Sequence, residues 1–128
     1  MTARDPSFAI PGRPKRTYPR GRGLEYEGET YFLLTPHEDR SDAALDGLVT
    51  RVLDEGPYRS GDFMELPMEL YLVRDEETAD VFRVAVRGGT VRLHVLPETE
   101  SEGLRRFYDR LVERSDSEWR VECHSDCE

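Results

Sequence analysis

The chain has 128 residues, 35% of them charged, with 27 acidic against 18 basic side chains and a net charge of −9 at pH 7. That length bounds one domain able to bury a core without a staple. No run approaches the roughly 18 apolar residues of a membrane span, and the N-terminus lacks an apolar secretory segment, so the expected address is the cytoplasm.

Charge is divided unevenly along the chain. The first 22 residues hold Arg4, Arg13, Lys15, Arg16, Arg20 and Arg22 beside only Asp5, a net of +5, which leaves −14 on the remaining 106. The same stretch contains Pro6, Pro11, Pro14 and Pro19 with Gly12, Gly21 and Gly23 and no periodic apolar face. Residues 1–23 are therefore expected to form a flexible basic arm, and residues 24–128 a single acidic domain.

From Leu24 the alternation suggests a short strand leading into a buried one over Thr30 to Thr35, ended by Pro36. Ala44, Leu45, Leu48, Val49, Val52 and Leu53 recur at helical spacing and predict a helix from about Ser41 to Glu55, with Ser41 or Asp39 at its start and Gly56-Pro57 as its stop. Met68–Arg74, Val81–Arg87 and Thr90–Leu96 read as an antiparallel meander. Gly88-Gly89 takes positive φ without penalty and sets Val84 opposite Leu93 and Val86 opposite Val91, with Phe82, Val84 and Val86 facing the core. For the hairpin before it, turning over Asp75 to Ala79, an even register pairs Leu72 with Phe82 and Leu70 with Val84. A second helix is predicted over Ser101–Arg114, with a capping box from Thr99 and Glu102. Alternation around Trp119, Val121 and Cys123 closes the chain with a strand over Glu118–Cys123.

The order β-α-β-β-β-α-β implies an α+β two-layer sandwich, an antiparallel or mixed sheet with both helices on one face. The portion from Ser41 to Arg114 is similar in element order to double-stranded RNA-binding domains and to acidic secretion chaperones. The first resemblance implies lysines opening the second helix, where this chain has Ser101-Glu102-Gly103 preceded by Glu98 and Glu100. Element order is shared by too many unrelated functions to assign a family.

The two registers place Tyr71, Arg83 and His94 in one row on the face away from the helices, near Glu69, Arg87 and Arg92, with an apolar corner from Val73, Val81 and Leu96. Tyr71, Arg83, Arg92 and His94 are the binding candidates, since a phenol, guanidinium groups and an imidazole on one rigid surface suit a docking partner. Alternating charges that satisfy one another on an exposed sheet face are the plainer alternative. Cys123, His124 and Cys127 are metal-ligand candidates, but a lone C-x3-C is not the paired spacing of structural zinc; a Cys123 buried on the last strand is preferred, and no cofactor is expected. Arg13, Lys15, Arg16, Tyr18, Arg20 and Arg22 combine arginine forks with a stacking ring and suit RNA phosphates and bases.

The resulting expectation is a non-enzymatic protein-interaction module, with a protein partner or a second copy of the chain on its sheet face. RNA contact through the arm is the alternative. Seventeen arginines against one lysine, with surplus carboxylates, match proteins kept soluble in concentrated salt, where ions screen the repulsion. A GC-rich genome also favours arginine, but it does not account for the carboxylates. Dialysis from molar KCl into dilute buffer is expected to unfold the chain, read as loss of far-ultraviolet circular dichroism; full retention would remove the salt-adaptation reading.

Overall fold

The computed structural model describes residues 7–17, 25–62 and 69–126. The elements are β1 (Lys15–Thr17), β2 (Glu25–Glu27), β3 (Thr30–Pro36), α1 (Asp42–Glu55), β4 (Tyr58–Asp62), β5 (Glu69–Asp75), β6 (Val81–Arg87), β7 (Thr90–His94), α2 (Ser101–Ser115) and β8 (Trp119–Ser125). β1 and β2 form a small antiparallel ribbon, and the other strands make a six-stranded antiparallel sheet in the order β4-β5-β6-β7-β3-β8. The expected α+β order is present, with the short strands β1, β2 and β4 added to it, β2 falling on the alternation that begins at Leu24.

Both helices pack on one face of the sheet. Leu45, Leu48, Val49, Val52 and Leu53 of α1 join Leu104, Phe107 and Leu111 of α2 over Phe32, Leu34, Val73, Phe82, Val84, Val86, Val91 and Leu93 in one buried cluster. Each such side chain contributes roughly 1.5–3 kcal/mol by leaving water. α1 begins as its sequence predicts, with the Ser41 hydroxyl accepting from the Ala44 amide at 3.1 Å. Gly56 ends it in extended backbone rather than a left-handed turn. Glycine is needed there because the Tyr58 ring lies where a Cβ would project.

The Gly88-Gly89 turn takes φ of 60° and 75° and sets Val84 opposite Leu93 and Val86 opposite Val91, as expected. Both turn amides donate to the Asp42 carboxylate, which ties this hairpin to the start of α1. The preceding hairpin is shifted by one residue from the expected register. Tyr71 stands opposite Val84 and Val73 opposite Phe82, so Tyr71 and Val73 enter the core while Leu72 stays 40% exposed. A one-residue shift exchanges the two faces of a strand.

The start of α2 also differs from expectation. Thr99 and Glu102 make no capping box: the Thr99 hydroxyl accepts from the Leu96 amide and donates to the Val81 carbonyl. The cap comes from Asp80, whose buried carboxylate accepts from the amides of Val81 (2.9 Å), Glu100 (2.8 Å) and Gly103 (3.0 Å). Burial raises the Asp80 pKa even against those three donors. The carboxylate sits so close to Gly103 that a Cβ there would collide with it.

Residues 7–17 do not stand away from the domain as the expected free arm would. Phe8 is buried, its ring 5.1 Å from Phe32 and 5.3 Å from Tyr108. The Thr30 hydroxyl donates to the Gly12 carbonyl, and Arg13 donates to the Thr99 carbonyl from Nε and Nη2. One aromatic anchor in a Pro/Gly-rich stretch fixes this part of the chain. The rest of the expected arm, residues 1–6 and 18–23, lies outside the described residues.

Two glycine substitutions should move stability in opposite directions. Gly47, exposed within α1, has nothing within 4 Å of a Cβ, so Gly47→Ala should raise the unfolding free energy by about 0.5–1 kcal/mol. Gly103→Ala should lower it by about 1–3 kcal/mol through overpacking on Asp80. Urea unfolding at fixed salt measures both, and a neutral Gly103→Ala would contradict the described cap.

Candidate functional site

The open face of the sheet is fixed by strand registers. Cα pairing across the strands runs Gly61, Leu72, Arg83, His94, Tyr31 and His124 in one row, with Ala85, Arg92, Leu33 and Glu122 in the next. Alternation along each strand puts the side chains from Leu72 to His124 in the first row, and those of the second, opposite the helix layer. Of the four expected binding residues, Arg83, Arg92 and His94 are brought together here. Tyr71 is not: it points into the core and its hydroxyl donates to Asp46 of α1 at 2.5 Å. Val73, expected at an apolar corner of this face, is fully buried on the other side, and Leu72 takes its place.

Tyr31, which the sequence reading passed over, is the centre of the group. β3 lies between β7 and β8, so this ring has neighbours on both flanks. His94 is 5.4 Å away, tilted by 39°, and His124 is stacked on it at 5.1 Å and 15°. The Arg92 guanidinium carbon lies 5.1 Å from the same ring's centroid. A cation over an aromatic face contributes about 0.5–1 kcal/mol where solvent reaches it. The buried Arg92 Nε has no hydrogen-bond partner among the described residues, an unusual condition for a buried donor.

His94 is held neutral. Burial and then the charges of Arg92 and Arg83 lower its pKa from 6.5 to about 4. The Glu29 carboxylate lies 3.6 Å from its Nδ1, beyond hydrogen-bonding range, and is 57% exposed. Solvent therefore weakens the one carboxylate opposing two guanidinium groups, and the downward shift prevails. At neutral pH the patch presents two fixed cations around an uncharged imidazole and a phenol ring.

The metal-ligand candidates separate. Cys123 and His124 are adjacent on β8, so their side chains leave opposite faces of the sheet, and no cluster of three or more His, Cys, Asp or Glu residues suited to a metal occurs among the described residues. Cys123 is exposed, not buried as expected, because β8 is an edge strand with the sheet on one side only. The shielded part of its surroundings raises the thiol pKa. Cys127 lies outside the described residues.

Among the arm residues, Arg13 spends its guanidinium on the Thr99 carbonyl and Glu100 at 3.2 Å. Lys15 is exposed on β1, and Arg16 follows it in the same strand. Tyr18, Arg20 and Arg22 lie outside the described residues. Elsewhere, an open groove of about 450 Å³ runs between Ser7–Ala9 and the first turns of α2, lined by Ser101, Glu102 and Arg105.

A scan against protein-family models, a search of curated proteins and a search of solved structures each find no match to this chain.

The neutral His94 has a consequence for acid stability. An unfolded chain takes up a proton at this imidazole near pH 6.5, whereas the folded one resists to about pH 4, so the contribution is complete above 6.5 and is lost as pH falls towards 4. The loss should approach roughly 3 kcal/mol. Urea unfolding of the wild type and His94→Gln between pH 7 and 4 should show a steeper fall in the wild type. Parallel curves would overturn the assignment.

Proposed function

We propose that this protein is a non-enzymatic interaction module that docks a protein partner through the helix-free face of its sheet. The observation that carries the reading is the Tyr31 group: a ring flanked by His94 and His124 and overlain by Arg92, whose buried Nε has no hydrogen-bond partner among the described residues. Leu72, 40% exposed in the same row, adds apolar surface beside it. Aromatic rings and arginines are the side chains that most often anchor protein interfaces.

The chemistry of the patch suits a partner offering a carboxylate or backbone carbonyl to Arg92 and a flat apolar group to Tyr31. In molar salt, charges interact over only about 3 Å, so long-range attraction is suppressed and close contacts must provide the affinity. A rigid ring with a planar guanidinium supplies such contacts without ordering flexible chain. Partner capture from a basic surface also requires little of the −9 net charge, which serves solubility.

RNA contact through the arm has less behind it, because Arg13 already has intramolecular partners. Removing residues 1–22 would also remove Phe8 from the core, so the arm is better tested by substituting Lys15, Arg16, Arg20 and Arg22 together with alanine. Loss of RNA retention in that variant alone would favour the arm.

For the face, Tyr31→Ala combined with Arg92→Ala should remove a co-purifying protein at native salt, while circular dichroism and the melting temperature confirm a folded domain. If the folded double variant retains the same co-purifying proteins in the same amounts, the docking face is wrong.

A further inference from the structure

β8 is the last strand of the sheet, paired on one side to β3 and on the other to no described strand. Natural edge strands are usually protected by a bulge, a proline, short length or charged side chains, lysine above all. β8 has seven residues in unbroken register with β3 and no proline or lysine, and its two charges, Arg120 and Glu122, are of opposite sign. The opposite edge, β4, is shorter and carries Gly61.

The hydrogen-bond phase shows which backbone groups point outward. The His37 amide donates to the Glu118 carbonyl and the Asp126 amide to the Glu29 carbonyl, so even-numbered positions of β8 pair with β3. In an antiparallel ladder the alternate residues turn their amides and carbonyls the other way. Trp119, Val121 and Cys123 thus present theirs to the side away from β3. Trp119 and Val121 also pack partly buried against the core, so this edge has an apolar flank.

We infer that a second copy of the chain pairs with this edge, β8 against β8, about a two-fold axis at Val121. Charge selects the register. An axis at Arg120 sets Arg120 against its own copy and Glu118 against Glu122, and an axis at Glu122 sets Glu122 against Glu122. An axis at Cys123 faces Arg120 with Asp126, whose carboxylate already accepts from the Glu29 amide, and sets Val121 against Ser125. An axis at Val121 places Arg120 opposite Glu122 twice and joins Val121 to Val121. Arg120 and Glu122 already lie 3.1 Å apart within one strand, so two copies bring together four charges of alternating sign. Opposite charges directly across an antiparallel pair are favourable, and like charges are not.

A two-fold contact of this kind closes on itself and leaves no further edge to recruit a third copy at β8. It makes the two sheets one continuous surface of twelve strands, with β8 and its His124 at the seam. The inference stands independently of the proposed docking face, because it rests on the sheet edge and its charges.

The test is solution mass at native salt, by light scattering and sedimentation, on the full chain. The wild type should have twice the mass of the 14.8 kDa chain. Arg120→Glu and Glu122→Arg should each weaken dimerisation on the order of tenfold or more, because every changed contact occurs twice. The combined exchange, Arg120→Glu with Glu122→Arg, should restore it. Val121→Cys, with Cys123 and Cys127 replaced by serine, should give cross-linked dimers on mild oxidation. A wild type that stays monomeric at high concentration overturns the proposal, as does a dimer indifferent to Arg120→Glu or not restored by the exchange. Tyr31→Ala with Arg92→Ala should leave the dimer mass unchanged, which separates failure of the face from failure of the edge.

Discussion

The turn between β5 and β6 decides what the open face of this protein carries. Asp75 and Asp80 close it, the Asp75 amide donating to the Asp80 carbonyl at 2.8 Å and the Ala79 amide to the Asp75 carbonyl. The Asp75 carboxylate accepts from the amide of Glu77 at 2.9 Å and lies within 3.4 Å of that of Thr78, holding the loop from its first residue. Ala79 completes the loop at φ 62°, an uncommon conformation for a residue with a Cβ. Asp75 is fully buried, with Arg106 of α2 3.3 Å from its other oxygen. A four-residue loop closed this way admits one register, and that register sends Tyr71 and Val73 inward.

The apolar pattern cannot settle that choice. β5 reads Glu69-Leu70-Tyr71-Leu72-Val73, with apolar side chains on both faces, so either register buries a plausible set. Legibility was high where one signal dominated: the Gly88-Gly89 turn, the α1 stripe with its Ser41 cap, and the amphipathic face of α2. It failed where a polar side chain acted across a distance. Thr99 and Glu102 have the spacing of a capping box, yet Asp80, twenty residues before the N-cap position Glu100, occupies that role. Phe8 was hidden in the same way, a lone aromatic among prolines with no periodicity to mark it.

The functional patch divides along the same line. Arg83, Arg92 and His94 belong to a hairpin whose register two glycines announce, and they fall together as read. Tyr31 joins them because β3 inserts between the last two strands, a neighbour relation set by chain topology that no local spacing encodes. The hydrophobic run Thr30 to Thr35 hides an alternation, with Phe32 and Leu34 inward and Tyr31 and Leu33 outward. The cluster therefore depends on the order of strands as much as on the identity of its residues.

Capping α2 from outside its own sequence ties the start of that helix to the β5–β6 hairpin. Starting a helix is the unfavourable step, because several residues must be fixed before the first bond closes. Here the group that holds those residues, Asp80, closes the β5–β6 hairpin. The start of α2 thus takes its cap from the middle of the chain, so its first turn depends on a tertiary contact as well as on its own sequence. An isolated peptide spanning the second helix would lack that cap altogether.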